Sequence, residues 1–257
     1  NDNEFSNKLS DLGDFYVNDA FSCSHRSHAS IEGITKHMPS FSGLQITKEI
    51  NALKKLTSEI EKPITLIIGG SKISTKINII NNLIKKFSNI IIVGGMANTF
   101  LKHTGKKIGT SIFENDCKNL IEEILKNAEK YNCKITYPVD VVVANNPQYK
   151  GGIKDIDEIG NDEMILDIGP KTILSIKKII DESKTVLWNG PAGYFENPNF
   201  EYGTKEILEI ISKKTKSDKI FSVAGGGETV AAINKFKKLK SLTFVSTAGG
   251  AFLEYLE

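Results

Sequence analysis

Short apolar runs alternate with amphipathic stretches along most of this chain. Runs rich in Ile, Val and Leu near 64–68, 89–93, 134–139, 185–188, 219–223 and 242–246 predict strands. Apolar residues at helical spacing predict helices near 74–87, 97–103, 115–130, 171–182, 203–214, 228–238 and 250–256. Upstream, residues 4–12 read as a helix, and Phe15–Val17 as a strand entering the NDAF turn, with the polar stretch SCSHRSHAS after it. Leu44, Ile46, Ile50, Leu53, Leu56 and Ile60 then recur on one face of a helix over 43–60, which Pro63 ends. The strand–helix alternation predicts parallel strands joined by right-handed crossovers: a three-layer α/β/α sandwich on a Rossmann-like sheet. Residues 140–165 are polar, contain Gly151-Gly152, and are expected to form a solvated excursion with short β-pieces.

Five of the strand-to-helix junctions are rich in glycine: LIIGGSKISTK (66–76), IIVGGMANTF (91–100), VLWNGPAGYFE (186–196), FSVAGGGETVAAI (221–233) and FVSTAGGAFLEYL (244–256). Glycine lets backbone approach a ligand closely, and the helix that follows offers unpaired N–H groups and a positive dipole end. In parallel sheets such turns share one edge, where ligands bind. The row therefore predicts a site for something rich in phosphate. There is no G-x-x-x-x-G-K-[ST], and no G-x-G-x-x-G after the first strand, which argues against a P-loop protein and a dinucleotide dehydrogenase. Lys72 and Lys76 are four apart in the first junction. A helix starting at or before Lys72 puts both on one face, beside free N–H donors, as a polyphosphate cradle. Spacing alone does not separate that reading from two solvated lysines.

Composition narrows the field. The 257 residues, 40% hydrophobic and 25% charged, suit an ordinary globular chain. A net charge of +2 and no basic run interleaved with aromatics argue against nucleic-acid binding. No apolar stretch is long enough for a bilayer span, and NDNEFSNKLSD is no signal peptide. Cys23, Cys117 and Cys133 have no metal or redox spacing, which fits a reducing cytoplasm. Cys23, His25 and His28 make a poor zinc set for want of a fourth ligand. Among 33 basic residues Arg26 is the single arginine; the sequence leaves open a surface residue kept by chance and a bidentate grip on a carboxylate or phosphate that lysine cannot replace.

YVNDAFSCSHRSHAS (16–30), GGSKISTKI (69–77), GGMANTF (94–100), LDIGPKT (166–172), LWNGPAGYFE (187–196), GGGETVAA (225–232) and VSTAGGAFLE (245–254) together resemble the phosphoglycerate kinase family over essentially the whole chain. WNGPxGxFE followed by GGG[DE]T at this separation is highly specific. The resemblance implies two α/β lobes joined by a helix, with nucleotide on the C-terminal lobe and 3-phosphoglycerate on the N-terminal one. It divides the chain into a remnant of the substrate lobe (1–42), an interdomain hinge helix (43–60) and the nucleotide lobe (61–257).

The residue roles implied by the resemblance follow motif by motif. Lys72 matches the lysine that follows the transferred phosphoryl group, and Lys76 an α/β-phosphate contact, with Gly70 and Ser71 beside them. Asn189 and Pro191 match the nucleotide-facing turn, and Glu196 the carboxylate on the ribose hydroxyls. Gly94, Gly95, Ile165, Leu166 and Tyr194 fall where the family packs base and ribose. Gly226, Gly227, Glu228 and Thr229 match the phosphate-proximal turn. There Glu228, in place of the usual Asp, meets Mg²⁺ directly or through water. Gly227 and Gly250 belong to turns that donate N–H groups to the transferred phosphoryl, and Arg26, with His25, binds the substrate phosphate. The implied partners are MgADP or MgATP and 3-phosphoglycerate or 1,3-bisphosphoglycerate, in a monomeric enzyme. A chain that opens at NDNEF, lacks most of the first lobe and stops at LEYLE is expected to be a partial sequence that binds nucleotide but does not turn over alone.

Overall fold

The chain divides into two compact units in the computed structural model, which describes residues 2–57, 60–246 and 248–255, apart from the side chains of 56, 57 and 253. One unit comprises the first sixty residues with the stretch from Ser246 onward; the other runs from Glu61 to Val245.

In the first unit, helix α1 (Asn3–Ser10) is capped by Asp2, whose carboxylate accepts from the amides of Glu4 at 3.0 Å and Phe5 at 3.2 Å. Strand β1 (Tyr16–Asn18) pairs in parallel with β2 (Ser40–Ser42), a strand not expected from the pattern. Helix α2 (Leu44–Thr57) starts where Asp19 accepts from the amides of Gln45 and Ile46, with Leu53 fully buried. Residues 58–59 and the Leu56 side chain, expected in this helix, lie outside the described residues. The short helix α9 (Gly250–Glu254) packs against the 3₁₀ turn Phe21–Cys23, and the rings of Phe21 and Tyr255 meet edge to face at 6.2 Å. These contacts group the final stretch with the first unit.

The second unit is built on six parallel strands: β3 (Ile64–Ile68), β4 (Asn89–Ile92), β5 (Lys134–Thr136), β9 (Thr185–Asn189), β10 (Phe221–Ala224) and β11 (Phe244–Val245). Their spatial order is β11-β10-β9-β3-β4-β5. The chain leaves β3 toward β4 and β5, then returns to place β9 on the other side of β3. The order reverses there, and the glycine turns after β3 and β9 flank that point. Every residue of β3 and β9 is buried, as strands covered on both faces must be.

Two helical layers do the covering. Helices α6 (Pro170–Glu182), α7 (Tyr202–Lys216) and α8 (Gly227–Lys235) pack Ile176, Ile180, Ile207, Ile211 and Ile233 onto Ile67, Ile91, Val186 and Trp188. Alternation aims Leu66, Ile68, Ile90 and Ile92 at the opposite face. Helices α3 (Ile77–Ile84), α4 (Gly94–His103) and α5 (Lys118–Lys130) bring buried Ile80, Leu83, Phe100, Leu101, Ile121 and Ile124 there. The α/β/α sandwich is as expected. Three helix starts differ by three residues: α4 begins at Gly94, so the glycine pair is its first turn, while α3 begins only at Ile77 and α5 only at Lys118.

The short β-pieces expected in 140–165 are present, but they are ordered around a core of their own and not left as a loose excursion. They form a three-stranded antiparallel sheet, β7-β6-β8, from β6 (Asp140–Ala144), β7 (Gly152–Asp155) and β8 (Met164–Ile168). Its own small core is Val141, Val143 and Ile159. Buried Asp140 joins this sheet to α6 by accepting from the amides of Lys171 at 2.9 Å and Thr172 at 2.7 Å. Those donors belong to the helix's first turn, where a carboxylate also meets the dipole favourably.

Candidate functional site

At the switch point the backbone turns touch. Gly69 donates its N–H to the Asn189 carbonyl at 2.7 Å, and Gly190 sits at φ +106°, a conformation that favours glycine. A Cβ on Gly190 would strike the Gly69 carbonyl carbon, and one on Gly69 would strike the Pro191 carbonyl oxygen. Close approach, as well as torsion, therefore demands glycine on both turns.

A polar network locks these turns. The Lys76 ammonium donates to the Gly69 carbonyl at 2.6 Å and to Asn189 Oδ1 at 2.9 Å. Asn189 Nδ2 in turn donates to the Gly225 carbonyl at 2.8 Å, and Thr229 Oγ1 accepts the Gly190 N–H at 2.7 Å. Asn189 and Thr229 are both buried. Burial lowers the Lys76 pKa to about 8, against the opposing pull of the Glu228 carboxylate. A polyanion beside this ammonium would restore its ordinary basicity.

A cavity of about 380 Å³ opens against these turns. Its wall includes Gly70, Ser71, Gly94, Gly95, Ile165, Leu166, Pro191, Tyr194, Glu196 and Glu228, all expected from the sequence. Ile112, Met164, Asn98 and Asp167 also line it and were not expected. Lys76, Asn189, Gly226 and Thr229 do not line it but join its wall through the network, a Cβ on Gly226 meeting Asn189 Nδ2 at 2.6 Å. Lys72 is exposed, as is Gly227, which opens α8. Glu196 is held through its neighbours: Lys235 donates to the Phe195 carbonyl at 2.6 Å and pairs with Glu201 at 2.6 Å. Trp188 is fully buried under the turn, its indole N–H on the Gly190 carbonyl at 2.8 Å, so it packs rather than stacks on a ligand.

Asp167 is the wall's buried carboxyl. It accepts from the amides of Gly203 at 2.7 Å and Ile168 at 2.9 Å, yet burial outweighs those bonds and pushes its pKa up to about 7. A Cβ on either Gly193 or Gly203 would collide with its Oδ1.

The lysine cradle takes a different form from the one expected. With α3 starting at Ile77, Lys72 and Lys76 do not share a helical face; Lys72 lies in the loop before the helix and Lys76 is the N-cap. Nor are the nearby N–H groups free. The amides of Ile73 and Ser74 donate to Glu114 Oε2 at 2.8 and 3.0 Å, and the Ser74 hydroxyl bonds Oε1.

Arg26, His25 and Gly250 belong to the first unit. There Arg26 Nε faces His25 Nε2 at 3.4 Å, and the same ring nitrogen lies 4.0 Å from Glu254 of α9. Cys23 is exposed and unpaired, and no cluster of three His, Cys, Asp or Glu that could hold a metal occurs among the described residues. Glu228 alone, exposed on the first turn of α8 at the cavity, nevertheless suits Mg²⁺, which binds through one or two carboxylates plus substrate phosphates. A groove of about 490 Å³ between α6 and α7 is larger than the cavity. None of the expected site residues lines it, and its Lys177 and Lys214 are already paired with Asp181.

Comparison with known proteins decides the family. The profile of the phosphoglycerate kinase family matches residues 1–257. The chain belongs to that family. It is 44% identical over 256 residues to phosphoglycerate kinase from Xanthobacter autotrophicus, and 46% over 258 residues to that of Wolbachia pipientis. These alignments cover 99% and 100% of this chain and 65% of each relative, so the chain spans about two thirds of the length of the curated relatives it matches. The solved phosphoglycerate kinase of Coxiella burnetii superimposes at TM-score 0.90 with 37% identity, over 99% of this chain and 65% of that one. The Pyrococcus horikoshii enzyme gives 0.82 with 28% identity, over 100% and 65%. No helix among the described residues is long and apolar enough to cross a membrane.

Proposed function

We propose that this chain supplies the nucleotide-binding part of a kinase that moves a phosphoryl group between 1,3-bisphosphoglycerate and ADP, giving 3-phosphoglycerate and ATP in glycolysis. The observation that carries the reading is the meeting of Gly70, Gly95, Pro191 and Glu228 around one cavity, braced by Lys76, Asn189 and Thr229. Adenine and ribose lie against Ile165, Leu166 and Tyr194, with Glu196 on the ribose hydroxyls. The diphosphate runs toward Lys76 and the first turn of α8, where N–H groups lack intrahelical partners.

In the reaction the acyl-phosphate P–O bond breaks as a terminal oxygen of ADP bonds to the same phosphorus. The carboxylate leaves without needing a proton. Catalysis is therefore positioning and charge stabilisation, with Lys72 and the N–H groups of Gly227 and Gly250 on the spread charge of the moving group. Arg26 and His25 hold the phosphate of the substrate. Mg²⁺, held by Glu228 and the nucleotide phosphates, neutralises phosphate charge when bound. The unpaired Cys23, Cys117 and Cys133 agree with a reducing cytoplasm, and the working form is a monomer.

All the cavity-lining residues fall between Glu61 and Val245, which favours a second, narrower property: these 257 residues bind MgADP by themselves without turning over 3-phosphoglycerate. Calorimetric titration with MgADP and a coupled assay with 3-phosphoglycerate and MgATP test both. Binding without turnover is the expected result. No MgADP binding would overturn the site assignment, and turnover by this chain alone would overturn the division of roles.

A further inference from the structure

Glu114 lies in none of the motifs that carry the family resemblance, and it is a long way in sequence from the turn it grips. Its carboxylate accepts from the Ile73 amide at 2.8 Å, the Ser74 amide at 3.0 Å and the Ser74 hydroxyl, and the buried Cys117 thiol adds a fourth donor. That fills the roughly four lone-pair sites an ionised carboxylate offers. Burial alone raises the Glu114 pKa, but these donors outweigh it and hold the group below its usual range. Glu114 is itself anchored, since its amide donates to Thr99 Oγ1 of α4 at 3.1 Å, and Thr99 is fully buried.

The gripped turn carries Lys72. On its upstream side, the Gly70 carbonyl accepts the Met96 amide at 2.7 Å. Downstream, Ile73 is fully buried, its carbonyl accepts the Lys76 amide at 2.9 Å, and Thr75 Oγ1 donates to the Lys72 carbonyl at 3.1 Å. Lysine has a long, freely rotating stem, so its ammonium can be aimed only as well as its backbone is held.

We propose that Glu114 is a positioning residue for phosphoryl transfer, clamping the 72–75 turn and so fixing the backbone from which Lys72 reaches the moving group. The clamp rests on the reading of Lys72 given above. It touches neither nucleotide nor substrate. Its acceptors occupy the very amides that would otherwise bind an anion, so this turn contributes a side-chain cation and not an amide nest.

The test is a double-mutant cycle in the complete enzyme, by steady-state kinetics with MgADP and 1,3-bisphosphoglycerate. Glu114→Ala should lower kcat by about 10- to 100-fold, with KM for MgADP changed by less than about threefold. Glu114→Gln should recover most of that loss, because its amide oxygen still accepts from both backbone donors. In a Lys72→Ala background, Glu114→Ala should cost less than about twofold, as two residues acting as one unit do. If Glu114→Ala fails to fold, Ser74→Ala removes one donor only, and its smaller loss should likewise vanish without Lys72. An equal loss with and without Lys72, or none at all, would overturn the clamp. Unchanged kcat in Lys72→Ala alone would instead remove the Lys72 reading beneath it.

Discussion

The cavity has two ends built by different rules. At the turn end, glycine backbones touch and a buried network of Lys76, Asn189 and Thr229 leaves almost no freedom. At the other end, Ile112, Met164, Ile165 and Leu166 offer an apolar wall, and Ile112 is 65% exposed. The shape of the first end is fixed by hydrogen bonds within the protein. The second has gaps that a flat apolar group would close. The contrast suits a ligand whose charged part must be placed accurately and whose apolar part need only be covered.

The largest effects are expected at the turn end. Lys72→Ala in the complete enzyme should lower kcat by about 10²–10³-fold with a much smaller change in MgADP affinity, the size expected for losing one charge-stabilising group. An effect confined to affinity would make Lys72 a binding residue. Asn189→Ala should destabilise the fold by about 2 kcal/mol, since it removes one partner of the half-buried Lys76 ammonium and the side-chain donor to the Gly225 carbonyl. Urea unfolding measures this, and a loss under about 1 kcal/mol would mean that the network is not what fixes the turns.

Two smaller effects sharpen the contrast. Lys76, at about 8 in the free chain, gains basicity when a polyanion arrives, so binding takes up a proton once the free ammonium has begun to titrate. MgADP should bind tightest below pH 8 and weaken as pH rises past it, by up to about tenfold across the next unit. A flat profile from pH 7 to 9 would separate Lys76 from the phosphates. At the apolar end, Ile112→Ala should weaken MgADP only about two- to threefold and leave stability within about 0.5 kcal/mol, because this side chain has little packing to lose.

The two ends were also unequally legible in the sequence. The turn end announces itself, because close backbone approach demands glycine and glycine can be read directly from the chain, at Gly69-Gly70 and at Gly190. The strands that lead there are fully buried apolar runs, and the pattern located each of them within a few residues. The apolar wall could not be read that way. Ile112 and Asn98 enter it from a loop and a helix face that periodicity alone does not single out, and the pattern over 140–165 points to short β-pieces but not to their pairing into a sheet, because the strands carry Asp140, Lys154 and Asp167. Two of those charges are absorbed by tertiary partners: Asp140 caps α6, and Asp167 fills space left by Gly193 and Gly203. Glu114 was invisible for a related reason, since its four donors come from residues distant in the chain or lacking any motif. The lysine spacing misled in the other direction, as a four-residue interval means a shared face only inside a helix, and α3 starts five residues after Lys72.

A crystal structure with MgADP bound would show which residues hold the nucleotide. The base should lie against Leu166 and Ile112, the ribose at Glu196, and the diphosphate beside Lys76 and the Gly226–Thr229 turn. Nucleotide found in the α6–α7 groove, or in the cavity with its phosphates on the Ile112 side, would contradict this placement.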